Sequence, residues 1–486
     1  MKKSLLLYVL IVGVFTFLIW LMINQGKDMK PHADHTTTQV EQINGTQKSN
    51  PVDFSSKESV WSQFRHNIQN PLSLLLLQII IILAVSRIFG VLVTKIGQPS
   101  VVGEVIAGIF LGPSIIGYFF PDFSVFLFPK DSLKTLQFLS QIGLAFFMFI
   151  VGMELDIEKL KHKAHNAVII SHASIIIPFF LGVLLALNIY EEFSPSGVSF
   201  LAFALFMGIS MSITAFPVLA RIIQERGLTK TPLGAMVITC AAADDATAWC
   251  ILAAVIAIVK AGSIVSALFT IGLAVIFVVL MLYVVRPWIR KISTSVVEKD
   301  KISKTVVAIA FFILLMSAYI AELIGIHALF GAFIAGVIMP HNMKFKDLLA
   351  GKVEDVSLLL LLPIFFAFTG LRTHIELLSQ GNLWGTFMLI LLVAVGGKFG
   401  GSTLSAKMVG QTWKDSLSIG ALMNTRGLME LIVLNIGLDL KILSPEIFSM
   451  MVLMALTTTF MTGPSLSLIN FVSKKLGEMN HKSSSV

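Results

Sequence analysis

Hydrophobic residues along this chain gather into long unbroken runs rather than alternating with polar ones, so the pattern predicts membrane-crossing helices and not strands. About fourteen runs approach the roughly 20-residue length that a bilayer core requires. They lie near 5–24, 71–95, 99–118, 133–154, 165–189, 198–224, 231–260, 263–287, 303–322, 324–341, 356–374, 384–408, 414–437 and 446–472. Residues 27–66 are polar and aperiodic, which reads as an extracytoplasmic linker ending near residue 70. The first run follows Lys2 and Lys3 as a signal peptide would. It is long for one, and no small-x-small cleavage site follows Ile19-Trp20-Leu21. An uncleaved anchor over residues 1–26 is the expected reading, with a signal-like segment as the alternative.

Composition removes the other classes. Of 486 residues, 56% are hydrophobic and only 13% charged, and the mean hydropathy is +0.86. A soluble surface of this size needs nearer a quarter charged. Disorder and a coiled coil fail for the same scarcity of charge, and two cysteines, Cys240 and Cys250, cannot build a disulfide scaffold. The net charge of +8 reports topology rather than a nucleic-acid partner. Lys159, Lys161, Lys163, Arg226, Lys230, the Arg286–Lys304 stretch, Lys344, Lys346 and Lys352 all fall in gaps on the side of the N-terminus. An opposite gap carries Glu191 and Glu192. By the positive-inside rule both termini are cytoplasmic and the chain sits in the cell (inner) membrane.

The chain also echoes itself. Gly103-Glu-Val-Ile-Ala-Gly-Ile-Phe-Leu-Gly-Pro113 in the third run resembles Gly331-Ala-Phe-Ile-Ala-Gly-Val-Ile-Met-Pro340 in the tenth. Phe147-Met-Phe-Ile-Val-Gly152 in the fourth resembles Phe365-Phe-Ala-Phe-Thr-Gly370 in the eleventh. An odd offset of seven runs places the copies in opposite orientations, the arrangement of inverted-repeat transporters. The expected division is a first repeat over 71–260, a linking helix and cytoplasmic loop over 261–302, a second repeat over 303–472 and a short tail over 473–486.

Ionisable residues inside such runs each need a partner or a purpose. At bilayer depth, away from the run ends, they are Arg87, Glu104, Asp244, Asp245, Lys398, Arg426 and Glu430. Asp244 and Asp245 lie mid-run among alanines, and two adjacent carboxylates cannot both ionise comfortably in low dielectric unless a cation intervenes. That chemistry suits a site where protons and a metal cation compete. Lys398 sits between glycine pairs with no route to either surface, and Asp244 is its natural partner. Glu104 and Glu430 are read as helix-end carboxylates paired with Arg87 or Arg426. Two runs look interrupted. Ser210-Met-Ser-Ile-Thr-Ala-Phe-Pro217, with Ser212, Thr214 and Ala215, precedes a proline, and Asn424-Thr425-Arg426-Gly427 breaks an apolar run. Unwound segments of this kind supply carbonyl ligands and half-helix dipole ends at mid-membrane.

On these residues the chain resembles the monovalent cation:proton antiporter superfamily, and within it the branch of NapA-type sodium/proton antiporters, Kef-type potassium efflux systems and plant cation/proton exchangers. The resemblance runs from about Pro71 to Asn470. It rests on Gly97–Pro113, Phe149-Ile-Val-Gly-Met-Glu-Leu-Asp156, Thr214-Ala-Phe-Pro-Val-Leu-Ala-Arg221, Asp244-Asp245, His327–Gly336 and Asn424–Leu431. It implies an all-α polytopic membrane protein of the inverted-repeat antiporter fold. That fold would have two crossed discontinuous helices, a core transport domain and a dimerisation domain, about 13 core helices and one extra N-terminal helix. It further implies a homodimer working by elevator-like motion. Asp245 matches the ion- and proton-binding aspartate that holds the transported monovalent cation. Asp244 matches its neighbour, Lys398 the lysine paired with that neighbour, and Thr214 and Thr425 the unwound helices. Two acids plus the lysine go with electrogenic exchange.

The expected function is alternating-access exchange of a monovalent cation for protons, with Na+ first and K+ or Li+ open, in support of pH homeostasis. No cofactor is expected. The large nucleotide-binding domain that Kef-type relatives carry does not follow the last run, which argues against ligand-gated potassium efflux. A channel-like potassium efflux pathway on the same scaffold is the alternative. An intramembrane aspartyl protease is the rival from another class, but neighbours on one helix diverge by about 100° and cannot share one water.

Overall fold

The computed structural model describes residues 70–154, 165–228, 231–261, 264–294, 304–340, 355–379 and 383–483, with Asn67, Leu349 and Gly351. The first apolar run and the 27–66 segment lie outside them. Every described regular element is helical. In chain order these are α1 Pro71–Lys95, α2 Ser100–Leu111, α3 Ile116–Phe119, α4 Pro121–Leu127, α5 Lys130–Glu154 and α6 His165–Phe193. Next come α7 Phe200–Ser212, α8 Phe216–Glu225, α9 Pro232–Ala261, α10 Ile264–Leu280, α11 Arg286–Thr294, α12 Lys304–Ile324 and α13 Ala328–Val337. The chain closes with α14 Leu362–Leu371, α15 Leu383–Val395, α16 Gly401–Met408, α17 Trp413–Met423, α18 Leu428–Asp439 and α19 Pro445–Ser483. Wider π turns join α10 to α11 (Met281–Val285), precede α14 (Ser357–Leu361) and join α15 to α16 (Gly396–Gly400). Proline supplies the fixed φ of a helix start at Pro71, Pro121 and Pro217, where the missing N–H costs nothing.

Each of the thirteen runs from residue 71 onward has a helix or a broken helix pair. One is shorter than expected. The run at 324–341 begins with Gly325 at φ +97° and His327 at φ +80°, so only the ten residues of α13 are helical. The run at 99–118 kinks after Leu111, where Gly112 turns extended at ψ −172°, and resumes as α3, a span of 20 residues over Ser100–Phe119.

The helices form two groups. A core group holds α6 to α9 and α15 to α19, and a flanking group holds α1, α2, α5, α12, α13 and α14; α10 lies against both α9 and α12. The echoed motifs explain the flanking group. A Cβ at Gly108 on α2 would fall 2.2 Å from the Ala367 carbonyl oxygen on α14, and one at Gly370 on α14 would fall 2.5 Å from that of Val105 on α2. The sequence mates repeat the contact. A Cβ at Gly336 on α13 would meet the Phe149 oxygen on α5 at 2.1 Å, and one at Gly152 on α5 the Phe333 oxygen at 2.2 Å. Each copy thus lends one helix to the other copy's crossing, and backbone-to-backbone approach there requires glycine.

Candidate ion-binding site

In the core group the two broken helices interrupt beside each other. Between α7 and α8, residues Ile213–Ala215 are extended, and between α17 and α18 the break runs over Asn424–Gly427 with a bend of 41°. The breaks cross and are tied backbone to backbone, the Ala215 N–H donating to the Thr425 carbonyl at 3.1 Å. Four helix ends therefore meet inside the protein. The α7 and α17 C-termini bring unpaired carbonyls, and the α8 and α18 N-termini bring unpaired N–H groups.

Two buried cations answer the α7 carbonyls. Arg426 donates to the Ser210 and Met211 oxygens at 3.0 and 2.8 Å, and pairs with Glu430 in the first turn of α18 at 3.0 Å. Lys398, in the π turn between α15 and α16, donates to the Ser212 oxygen at 2.5 Å and the Ser174 oxygen at 2.9 Å. Gly397, just before it, lets the chain pass close to Pro178 inside α6. The Lys398 ammonium also lies 3.1 Å from Asp244 Oδ2.

Asp244 and Asp245, midway along α9, meet different surroundings. Asp244 is fully buried, and its carboxylate accepts from Ser171 at 2.6 Å, Ser174 at 2.6 Å and Thr214 at 2.8 Å besides Lys398. Asp245 is 3% exposed and neither carboxylate oxygen has a hydrogen-bond partner; the Asn424 Oδ1 atom, also buried, has none either. Phe216 and Leu428, the first residues of α8 and α18, line a cavity of about 490 Å³ between the core and flanking groups.

The Ser212 hydroxyl is spent on the Ile175 and Gly208 oxygens, so its carbonyl rather than its side chain faces the lysine. Thr425 meets Thr462 on α19 at 3.1 Å. Glu104 lies in the flanking group, beside Arg87 in a separate cavity of about 460 Å³, and is not brought to the crossing.

Residues 62–472 match the family described as sodium/hydrogen exchanger, transmembrane. The chain belongs to that family. Among relatives, Na(+)/H(+) antiporter NhaS4 of Synechocystis sp. is 42% identical over 81% of this chain and 97% of its own length. Cation/H(+) antiporter 17 of Arabidopsis thaliana is 38% identical over 91% of this chain, and K(+)/H(+) antiporter 1 of Saccharomyces cerevisiae 34% identical over 84%. The chain spans about half the length of these last two, 54% and 47%. The solved sodium proton antiporter MjNhaP1 of Methanocaldococcus jannaschii superposes with a TM-score of 0.60, covering 80% of this chain and 94% of that one. At 16% identity this likeness shows the fold alone.

Sequence reading of this exchanger missed Ser171 and Ser174, two of the four donors on Asp244. Their i, i+3 spacing in an apolar run was the available signal, since it puts both hydroxyls on one helix face. It also missed Thr459, which exchanges bonds with the Arg426 backbone across 33 residues of chain. No local pattern could have shown that.

Proposed function

We propose that this exchanger carries a monovalent cation one way and protons the other on Asp245, with Na+ the first substrate to test and K+ and Li+ next. The observation that carries the reading is the asymmetry of the two aspartates. Asp244 is neutralised by Lys398 and saturated with donors. Asp245 offers two unpartnered oxygens in a buried site, where an ionised carboxylate alone costs several kcal/mol. A proton or a desolvated alkali cation removes that cost. The Asn424 oxygen and the carbonyls of the two breaks are hard oxygen ligands suited to such a cation.

Coupling follows from the same cost. The empty carboxylate cannot cross the low-dielectric barrier between the two sides, whereas the protonated and cation-loaded forms can, so each cation crossing is matched by protons returning. Lys398 is a second proton carrier. If it gives up its proton when a cation draws Asp244 into the ligand set, protons outnumber cations and the exchange is electrogenic. The core group is the moving element and the flanking group the fixed one, assembled as a homodimer. The protein sits in the inner membrane with both termini cytoplasmic. This is transport and not proteolysis, since Asp244 is committed to four donors and adjacent acids on one helix cannot form a shared-water dyad.

Proteoliposomes containing a pH-sensitive dye test this directly. Na+, K+ or Li+ added outside dissipates an imposed proton gradient, and Asp245→Asn abolishes the response. Full activity in that variant removes the assignment, and cation flux without opposing proton flux replaces exchange with a channel-like pathway.

A further inference from the structure

The two helix groups meet along one seam that is unequally closed above and below the crossing. On the side where α8 ends, the seam holds the cavity of about 490 Å³ lined by Phe216 and Leu428. On the side where α18 ends, the space between the same groups falls to about 20 Å³, and polar side chains stitch it. Arg372, at the end of α14 in the flanking group, reaches Asp439, the last residue of α18 in the core group, at 2.7 Å. Its other nitrogen donates to Asn435, one turn earlier on α18, at 3.1 Å. Gln137 on α5 donates to the second Asp439 oxygen at 3.0 Å, and Asn435 donates to Thr369 on α14 at 2.8 Å. Each contact joins one group to the other.

These contacts are built to hold position. Asp439 receives one donor on each oxygen, both from the flanking group. The Arg372 guanidinium is also packed 5.3 Å from the Phe368 ring of its own group and 6.0 Å from the Phe448 ring of the core group. On the opposite side of the crossing, Gln98 spans the seam to the Phe460 carbonyl at 3.2 Å, a neutral bond to backbone. An ion pair straddling the moving boundary on one side biases the two-state equilibrium toward closure there, because opening must separate and rehydrate it.

We propose that Arg372 and Asp439, held by Gln137 and Asn435, are the gate on the α18-end side, and that they part whenever the site turns to that side. The inference rests on the exchange reading in that it assumes the two groups move relative to each other. Its test measures access and requires no ion flux, so failure of the Asp245 assignment leaves it standing.

Ser140 on α5 lines the closed side of the seam and is buried. Ser140→Cys is placed in a chain whose native cysteines are replaced by alanine, and a membrane-impermeant maleimide is applied from the face on which Lys441 lies. Arg372→Gln and Asp439→Asn should each raise the labelling rate about fivefold, the population shift expected for an ion pair worth ~1 kcal/mol. The double variant should rise no further than either single. The exchanged pair Arg372→Asp/Asp439→Arg should return labelling toward the starting rate, which a merely destabilised fold would not do. Unchanged labelling in both single variants overturns the gate, as does an exchanged pair that labels as fast as the singles.

Discussion

Asp244 and Asp245 are consecutive on α9 and both buried, yet Asp244 collects bonds from Ser171, Ser174, Thr214 and Lys398 while the two carboxylate oxygens of Asp245 collect none. A rotation of about 100° about the helix axis separates a carboxylate facing α6 and the π turn from one that meets neither. The two positions therefore predict opposite kinds of variant.

Asp245→Asn removes a charge but no hydrogen bond. It should fold with thermal stability in detergent equal to or above that of the parent chain, because a costly buried charge is gone, and show no cation-driven proton movement in proteoliposomes. A drop in Tm comparable to that of core variants would contradict the absence of structural partners.

Asp244→Asn keeps an acceptor for the serine and threonine hydroxyls but takes the counter-charge from Lys398. Exchange should persist and lose its dependence on membrane potential, read as equal initial rates with and without an imposed potential across the liposome.

Lys398→Ala leaves Asp244 buried and unpaired, and one-sided removal of a buried ion pair costs about 3–5 kcal/mol. The Lys398→Ala/Asp244→Asn double variant should recover most of that loss. Denaturation of the purified chains measures both, and additive losses would mean that the ion pair contributes little.

In the proposed exchange, proton–cation competition at Asp245 sets the pH behaviour. Each added proton must leave before a cation binds, so stability of the loaded site is lost as pH falls. The apparent KM for the cation should rise about tenfold per pH unit on the acid side of the site's titration, with maximal rate restored by excess cation. A KM independent of pH would separate the two sites.

Gly108→Val should abolish folded protein. Its side chain would have to occupy the place of the Ala367 carbonyl 2.2 Å away. Size-exclusion chromatography after extraction reads the outcome, and a monodisperse, active variant would show that α2 and α14 can separate.

Much of this was legible in the residues because a bilayer limits what a chain can do. Thirteen apolar runs each located a described helix or helix pair, with only the short α4 and most of α11 falling outside them, and the echo of Gly108 with Gly336 and of Gly152 with Gly370 marked the positions where backbones cross. Acids and a lysine in oil are rare enough that Asp244, Asp245 and Lys398 stood out at once. Less visible were Gly325 and His327, whose left-handed backbone shortens α13 within a run that reads as continuous.

The chain's own order of apolar and charged residues determined the class, the spans, the internal symmetry and the short list of charged candidates, since each is a cost counted against lipid one residue at a time. Only the tertiary structure decided what else engages Asp244, adding Ser171, Ser174 and Thr214 to the Lys398 partner that the sequence suggests, and which side of the seam is shut. Those outcomes depend on partners 30 to 224 residues away for Asp244 and Lys398, and 302 away for Gln137 and Asp439. Only packing brings them together.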